Sequence, residues 1–171
     1  FVYELRLRCR YEVAVAQRAL KSRPPIDYAM NHTWGLDLTG KQVEDDCGVS
    51  TSHYILGLID HGSRVLLALT PLHSKHSWRL AWHVALSPLR YGKPKFIKTD
   101  NDAVFTSRLF KACLVALGIS HKRTQVMSPW QNGRIERLFG TLKHSLDEMT
   151  VPSFAALGSL MGTFRLFYND V

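Results

Sequence analysis

The chain has little cysteine and no long apolar run. Its three cysteines, Cys9, Cys47 and Cys113, are odd in number, widely spaced and form no C-x-x-C pair. This pattern argues against a disulfide framework and favours a reducing compartment. The longest apolar runs, such as Val65–Leu69, are far too short to span a bilayer. We therefore expect no membrane insertion and a cytoplasmic location.

Acidic residues are also scarce relative to basic ones. The 171 residues include 22 Lys and Arg against 14 Asp and Glu, a formal net charge of +8. Residues 71–131 hold ten bases and two acids, so this segment alone equals the whole excess. Such a balance favours a polyanionic partner, which is nucleic acid or, less often, an anionic membrane surface. With 46% apolar residues, the length suits one globular domain.

Hydrophobic patterning predicts three strands in the first half of the main domain. Apolar and polar residues alternate over 33–39, an apolar strand covers 54–59, and 64–70 returns after a turn at Asp60-His61-Gly62-Ser63. A helix capped by Ser74 or Ser77 follows, and we expect one side of it to face inward. That side carries Trp78, Ala81, Trp82, Ala85 and Leu89.

The second half alternates short strands with helices. We predict strands at 95–99 and 119–123, with a helix between them capped by Thr106 and ended by Gly118. A strongly amphipathic helix capped by Asn132 places Ile135, Leu138, Phe139, Leu142, Leu146 and Met149 on one face, and a last helix covers 154–168. The order predicts an α/β domain with a mixed five-stranded sheet, three antiparallel strands and then two parallel, flanked by helices.

Three carboxylates are candidates for chemistry. Asp37 lies on the polar face of the first strand, and Asp100 follows the fourth strand, at the end where open α/β sheets bind ligands. Glu136 lies about 100° around the amphipathic helix from Ile135, beside the apolar stripe, and Lys143 shares its flank. Asp60 fits a turn so well that we assign it a structural role.

Converging carboxylates would raise one another's pKa, and a shared cation would relieve the repulsion. No His or Cys accompanies them at a spacing typical of metal ligands. An oxygen-only donor set suits Mg²⁺ or Mn²⁺ rather than zinc.

Three motifs in order resemble the catalytic core of the DDE transposases and retroviral integrases. They are Asn31–Thr39, then Lys98–Asn101 with Phe105–Ser107, and then Ser128–Arg137. Thirty-five residues separate Asp100 from Glu136, the spacing for which this family is named. The form Pro-Trp-Gln-Asn-Gly-Arg at 129–134 is most similar to bacterial insertion-sequence transposases. The likeness covers most of the chain, from about Asn31 onward.

The resemblance implies a ribonuclease H-like fold with Asp37, Asp100 and Glu136 as catalytic metal ligands. It also implies that Lys143 and Asn132 contact DNA, and we expect the helix start at Gly133 and Arg134 to hold backbone phosphates. Asp102 and Val104 depart from the family pattern, which has Gly and a polar or acidic residue there. We expect residues 1–30 to be a basic linker from an upstream DNA-binding domain and residues 31–171 to be the catalytic core.

The sequence therefore predicts a polynucleotidyl transferase that cleaves and joins DNA strands in transposition. Two Mg²⁺ (or Mn²⁺) ions about 4 Å apart, bridged by Asp37, would serve an in-line attack that needs no protein nucleophile. The expected partners are element-end and target DNA and further copies of the chain, in a bacterial cytoplasm. Two alternatives stay open: a ribonuclease H-type nuclease without joining activity, and a catalytically silent DNA-binding or assembly module.

Overall fold

The predicted mixed sheet is confirmed. The computed structural model describes residues 28–44, 50–124, 133–147, 149 and 151–170. Its strands are β1 (Thr33–Glu44), β2 (Ser50–Asp60), β3 (Leu66–Leu72), β4 (Phe96–Thr99) and β5 (Ser120–Arg123). They lie in the order β3-β2-β1-β4-β5. The pairs β1–β2 and β2–β3 are antiparallel, whereas β1–β4 and β4–β5 are parallel.

Five helices lie in the described part of the chain. They are α1 (Ser77–Tyr91), α2 (Ala103–Thr106), α3 (Arg108–Ala116), α4 (Gly133–Asp147) and α5 (Phe154–Asp170). None of these helices is long and apolar enough to cross a bilayer.

Each face of the sheet has its own apolar core. Trp34 and Leu36 of β1 are fully buried on one face, together with Leu80 and Val84 of α1 and Phe110 of α3. The opposite face packs against α4 and α5, whose buried residues include Ile135, Leu138, Phe139, Leu142, Leu146, Leu157 and Met161. Alternation along β1 therefore sends Asp37 to the side covered by α4.

The predicted inward side of α1 was wrong except at Ala81. Leu80, Ala81 and Val84 are buried, whereas Trp78 is 58% exposed, Trp82 60% and Leu89 83%. Two apolar stripes with helical spacing run along this helix, and periodicity alone does not say which of them faces the sheet. Met149 was also expected to face inward, but it is 49% exposed and lies beyond the end of α4.

The predicted helix starts also needed correction. Thr106 ends α2, and Ser107 caps α3 by accepting a hydrogen bond from the Phe110 amide at 3.2 Å. Neither predicted serine caps α1, since its N-cap is His76, which makes no side-chain capping bond. Gly118 follows α3 with φ +63°, a backbone conformation that favours glycine, as its predicted role as a helix stop requires. The predicted cap Asn132 lies outside the described residues, as do residues 1–27.

Candidate active site

Parallel pairing of β1 and β4 brings Asp37 and Asp100 to the same end of the sheet. Gly35 lies opposite Lys98 in the register, and side chains alternate along both strands. Asp37 and Asp100, each two residues further on, therefore project on the face covered by α4.

The Asp37 carboxyl group is the most perturbed acid of the site. Burial, the main cause, together with the Asp100 and Glu136 carboxylates raises its pKa to about 6. The Leu38 amide opposes this shift by donating a 2.8 Å hydrogen bond to Oδ1 of Asp37. Asp100 and Glu136 therefore both lie within electrostatic range of Asp37.

Helix α4 reaches this face because β2 has a glycine opposite Asp37. Gly57 pairs with Asp37, and a Cβ atom at Gly57 would lie only 2.8 Å from Cζ of Phe139. Phe139 therefore packs directly on the strand, which carries the first turns of α4 close to the carboxylates. Glu136 lies on the exposed flank of that turn, and partial burial raises its pKa.

Lys143 lies on the same side of α4 as Glu136. Its side chain is exposed, and its ammonium lowers the pKa of Asp37. The shared flank of Glu136 and Lys143 predicted from the sequence thus places one cation within electrostatic range of Asp37.

Asp100 is held by a neighbour that sequence reasoning left without a role. The Asp102 amide donates a 3.0 Å hydrogen bond to Oδ1 of Asp100, and the Asp102 side chain caps α2 through the Val104 amide. Lys75 forms a 3.0 Å ion pair with Asp102, and this contact lowers the pKa of Asp102. An Asp immediately before the first residue of a helix is a capping signal that could have identified this role.

Three basic residues, His61, Lys98 and Arg134, lie near one another on the sheet face that also carries the carboxylates. His61 follows β2 and is 3% exposed, with Nε2 packed against Gly35. Burial, the main cause, with nearby Arg134 and Lys98 lowers the pKa of His61 to about 4. These residues are distant in the sequence, so no local pattern could have predicted their association.

The DNA-contact predictions are placed as follows. Gly133 and Arg134 begin α4, and the Arg134 guanidinium lies 5.8 Å from the ring centre of Tyr28. Asn132 falls outside the described residues.

Asp60 is structural, as predicted, since its carboxylate accepts hydrogen bonds from the turn at Gly62 and Ser63 and from the Asn31 amide.

The carboxylates do not form a closed metal cage. Among the residues that the structure describes, no three Asp, Glu, His or Cys side chains are close enough together to hold a metal ion as they stand. The chemistry of the donor set nevertheless suits a hard divalent cation, because all three donors are carboxylates and burial, together with Asp100 and Glu136, raises the pKa of Asp37.

Solved structures decide the fold family. The described fold is similar to the integrase catalytic core domain of HTLV-2 in complex with magnesium, with a TM-score of 0.59 at 21% identity over 81% of this chain and 87% of that one. It is also similar to a chain of the simian T-cell lymphotropic virus intasome in complex with PP2A regulatory subunit B56 gamma, with a TM-score of 0.62 at 23% identity over 82% of this chain and 49% of that one. This fold is that of the integrase catalytic cores.

Sequence comparisons agree with the integrase fold. Residues 117–171 match the model of the integrase core domain. An insertion element IS476 protein of Xanthomonas euvesicatoria is 26% identical over 97% of this chain. The Gag-Pro-Pol polyprotein of squirrel monkey retrovirus is 29% identical over 73% of it. The resemblance found in the three motifs is thereby confirmed.

The chain spans only part of these relatives. It covers 46% of the insertion-element protein and 6% of the retroviral polyprotein.

Proposed function

We propose that this integrase core catalyses Mg²⁺-dependent cleavage and joining of DNA strands in transposition. The observation that carries the proposal is the buried Asp37 carboxyl group, whose pKa is raised to about 6 by burial and by the neighbouring Asp100 and Glu136 carboxylates. Such a position destabilises the ionised form of a carboxyl group, since nearby carboxylates disfavour its negative charge. It is therefore more typical of a functional carboxylate than of a structural one.

Asp37, Asp100 and Glu136 would hold two divalent cations. Mg²⁺ held there would supply Lewis-acid chemistry, which would activate an attacking water or 3′-hydroxyl and stabilise charge on the leaving oxygen. Glu136 is exposed on α4, so its side-chain torsions can bring its carboxylate toward Asp37. Rotation of the Glu136 side chain would thus complete a cation site whose three carboxylates are not yet gathered around one position.

The chain's own residues would position DNA and the carboxylates. Lys143, whose charge acts on Asp37, would bind a backbone phosphate next to the cleaved bond. Asn132, Gly133 and Arg134 are proposed to contact the same strand where α4 begins. Asp102, through its amide, orients the Asp100 carboxylate, and the ion pair with Lys75 fixes Asp102 in turn.

The proposed partners are element-end DNA, target DNA and further copies of the chain. Joining one element requires two ends to be held together, which favours a homo-multimer. The HTLV-2 catalytic core is described in dimeric and trimeric forms, which is consistent with such assembly. The similarity to an insertion-element protein of Xanthomonas supports a bacterial setting.

The test is to incubate the protein, within its full-length chain, with labelled element-end duplexes and Mg²⁺. Product joined through a 3′-hydroxyl supports transposition chemistry, whereas hydrolysed ends alone support a ribonuclease H-type nuclease. Glu136→Gln should abolish either product, and Asp170→Asn, an exposed acid at the end of α5, should leave it intact.

Calorimetric titration with Mg²⁺ or Mn²⁺ separates these enzymes from a catalytically silent module. The proposal expects binding by the wild type and its loss in Glu136→Gln. Absence of cation binding by the wild type would support the silent module.

A further inference from the structure

A groove of about 690 Å³ lies between α3 and the edge strand β5, outside the carboxylate site. Its polar lining consists of Lys111 from α3 with Ser120, His121 and Arg123 from β5, and the rest is apolar side chain and backbone. None of the lining residues is acidic.

The surroundings of this groove are basic as well. From Ala103 to Arg123 the chain has no Asp or Glu, but it has Arg108, Lys111, Lys122 and Arg123. Lys93 adds another cation, because its Nζ lies 3.2 Å from the position that a Cβ atom at Gly118 would take, and Gly118 is in the groove wall. The groove therefore concentrates positive charge without a local counterion from these segments.

The lining side chains lie close together. Burial is the main cause that lowers the pKa of His121, and the nearby Arg123 and Lys111 cations lower it further. Arg123, from the same strand as His121, and Lys111, from α3, therefore both lie within electrostatic range of the same imidazole.

Hydrogen bonds join the groove to the loop that carries Asp100. Nε2 of His121 is 2.9 Å from Oγ1 of Thr99, the residue before Asp100. The Thr124 amide donates to the Thr99 carbonyl at 2.9 Å, and Nδ2 of Asn101 donates to the Thr124 carbonyl at 2.9 Å. The end of β5 is therefore tied to the loop that carries Asp100. The groove itself lies beside that loop on the α3 face of the sheet, opposite the face covered by α4.

We propose that this α3–β5 groove binds the phosphate backbone of duplex DNA that extends beyond the cleaved bond. The proposal rests on the proposed function, since that function supplies the DNA. Four residues of β5 span about 13 Å, and one strand of B-DNA presents a phosphate about every 3.4 Å of helix axis. A cationic wall of this length can contact several phosphates of one strand without reading bases.

The test measures the salt dependence of DNA binding. The affinity of the protein for a short labelled duplex is followed by fluorescence anisotropy between about 50 and 200 mM NaCl. Lys111→Gln/Arg123→Gln should lower the slope of log affinity against log salt by about 1.8, because each phosphate contact contributes about 0.9. Both side chains reach the surface, so thermal unfolding should confirm an intact fold.

Arg64→Gln/Arg90→Gln is the matched control, since it removes the same charge elsewhere. Arg64 lies in the β2–β3 turn, and Arg90 lies beside Tyr91, which contacts Arg165 of α5. Both control residues are therefore near β3, at the sheet edge opposite β5. The control should keep the wild-type slope. Equal slopes for both double variants would overturn the proposal. It would also be overturned if the groove variant lost affinity for duplex RNA but kept its affinity for duplex DNA.

The two levels of failure are distinguishable. A wild-type protein that binds duplex DNA steeply with salt, together with a groove variant that binds equally steeply, refutes the groove alone. A wild-type protein that neither binds nor cleaves DNA refutes the proposed function as well.

Discussion

Replacing Asp37 by Asn should stabilise the protein at neutral pH. Burial and two neighbouring carboxylates raise the pKa of Asp37 from 3.8 to about 6. The folded chain therefore holds a proton on this group in a pH range where the unfolded chain has released it. By linkage, this group makes the folded state less stable as pH rises through that range.

The size of the effect follows from the two pKa values. One unit of pKa shift corresponds to 1.36 kcal/mol, so Asp37 costs about 3 kcal/mol of folding stability at pH 7 and about 0.5 kcal/mol near pH 4. Asn carries no charge, and its Oδ1 can still accept the hydrogen bond that the Leu38 amide donates to Asp37. The variant should therefore gain up to about 3 kcal/mol near pH 7.

Urea unfolding of wild type and Asp37→Asn from about pH 4 to about pH 8 measures this difference. Mg²⁺ adds a second comparison, since a cation held by the carboxylates stabilises the folded wild type by mass action. The wild type should gain stability from Mg²⁺ and the variant much less. Asp170→Asn, exposed at the end of α5, should behave as wild type throughout. A variant no more stable than wild type near pH 7 would refute the reasoning.

Two further predictions concern the buried basic group. The pKa of His61 is lowered to about 4, so the unfolded chain binds a proton between about pH 4 and 6.5 that the folded chain lacks, and stability rises with pH there. This increase in stability with pH opposes the decrease caused by Asp37. His61→Gln should remove the increase, as measured by urea unfolding across this pH range. An unchanged pH profile would contradict the lowered pKa of His61. Gly35→Ala would place a Cβ atom 2.4 Å from Nε2 of His61 and should cost about 1–3 kcal/mol. Gly40→Ala, whose Cβ would have its nearest neighbour at 4.0 Å, should cost much less, and equal urea midpoints would contradict the close approach.

Much of the fold was predictable because the patterns that encode it are local. Alternation over 33–39 and the turn at Asp60 are properties of consecutive residues, and they define β1 and the β2–β3 hairpin. The inward face of α1 was not predictable in this way. Trp78 and Trp82 are among its most apolar residues, yet the sheet is met by Leu80 and Val84, and only packing distinguishes the two stripes.

Some features of the candidate site were likewise predictable from local sequence motifs, and others were not. Asp37, Asp100 and Glu136 could be selected from motif order and spacing, and parallel pairing of β1 with β4 then aligns the first two. The ion pair of Lys75 with Asp102 and the basic group around His61 join residues far apart in the chain. Such contacts arise from the topology of the sheet, which no single segment specifies.

The most direct test of the central claim is the DNA-cleavage rate of Asp100→Asn in the full-length chain with Mg²⁺. The substitution keeps the side-chain shape and leaves an oxygen that can accept the Asp102 amide bond, but it removes the charge needed to hold a cation. Losing about 4 kcal/mol of transition-state stabilisation lowers a rate about a thousand-fold. We expect a loss of this order with an unchanged fold, whereas cleavage at the wild-type rate would contradict the assignment of the carboxylates.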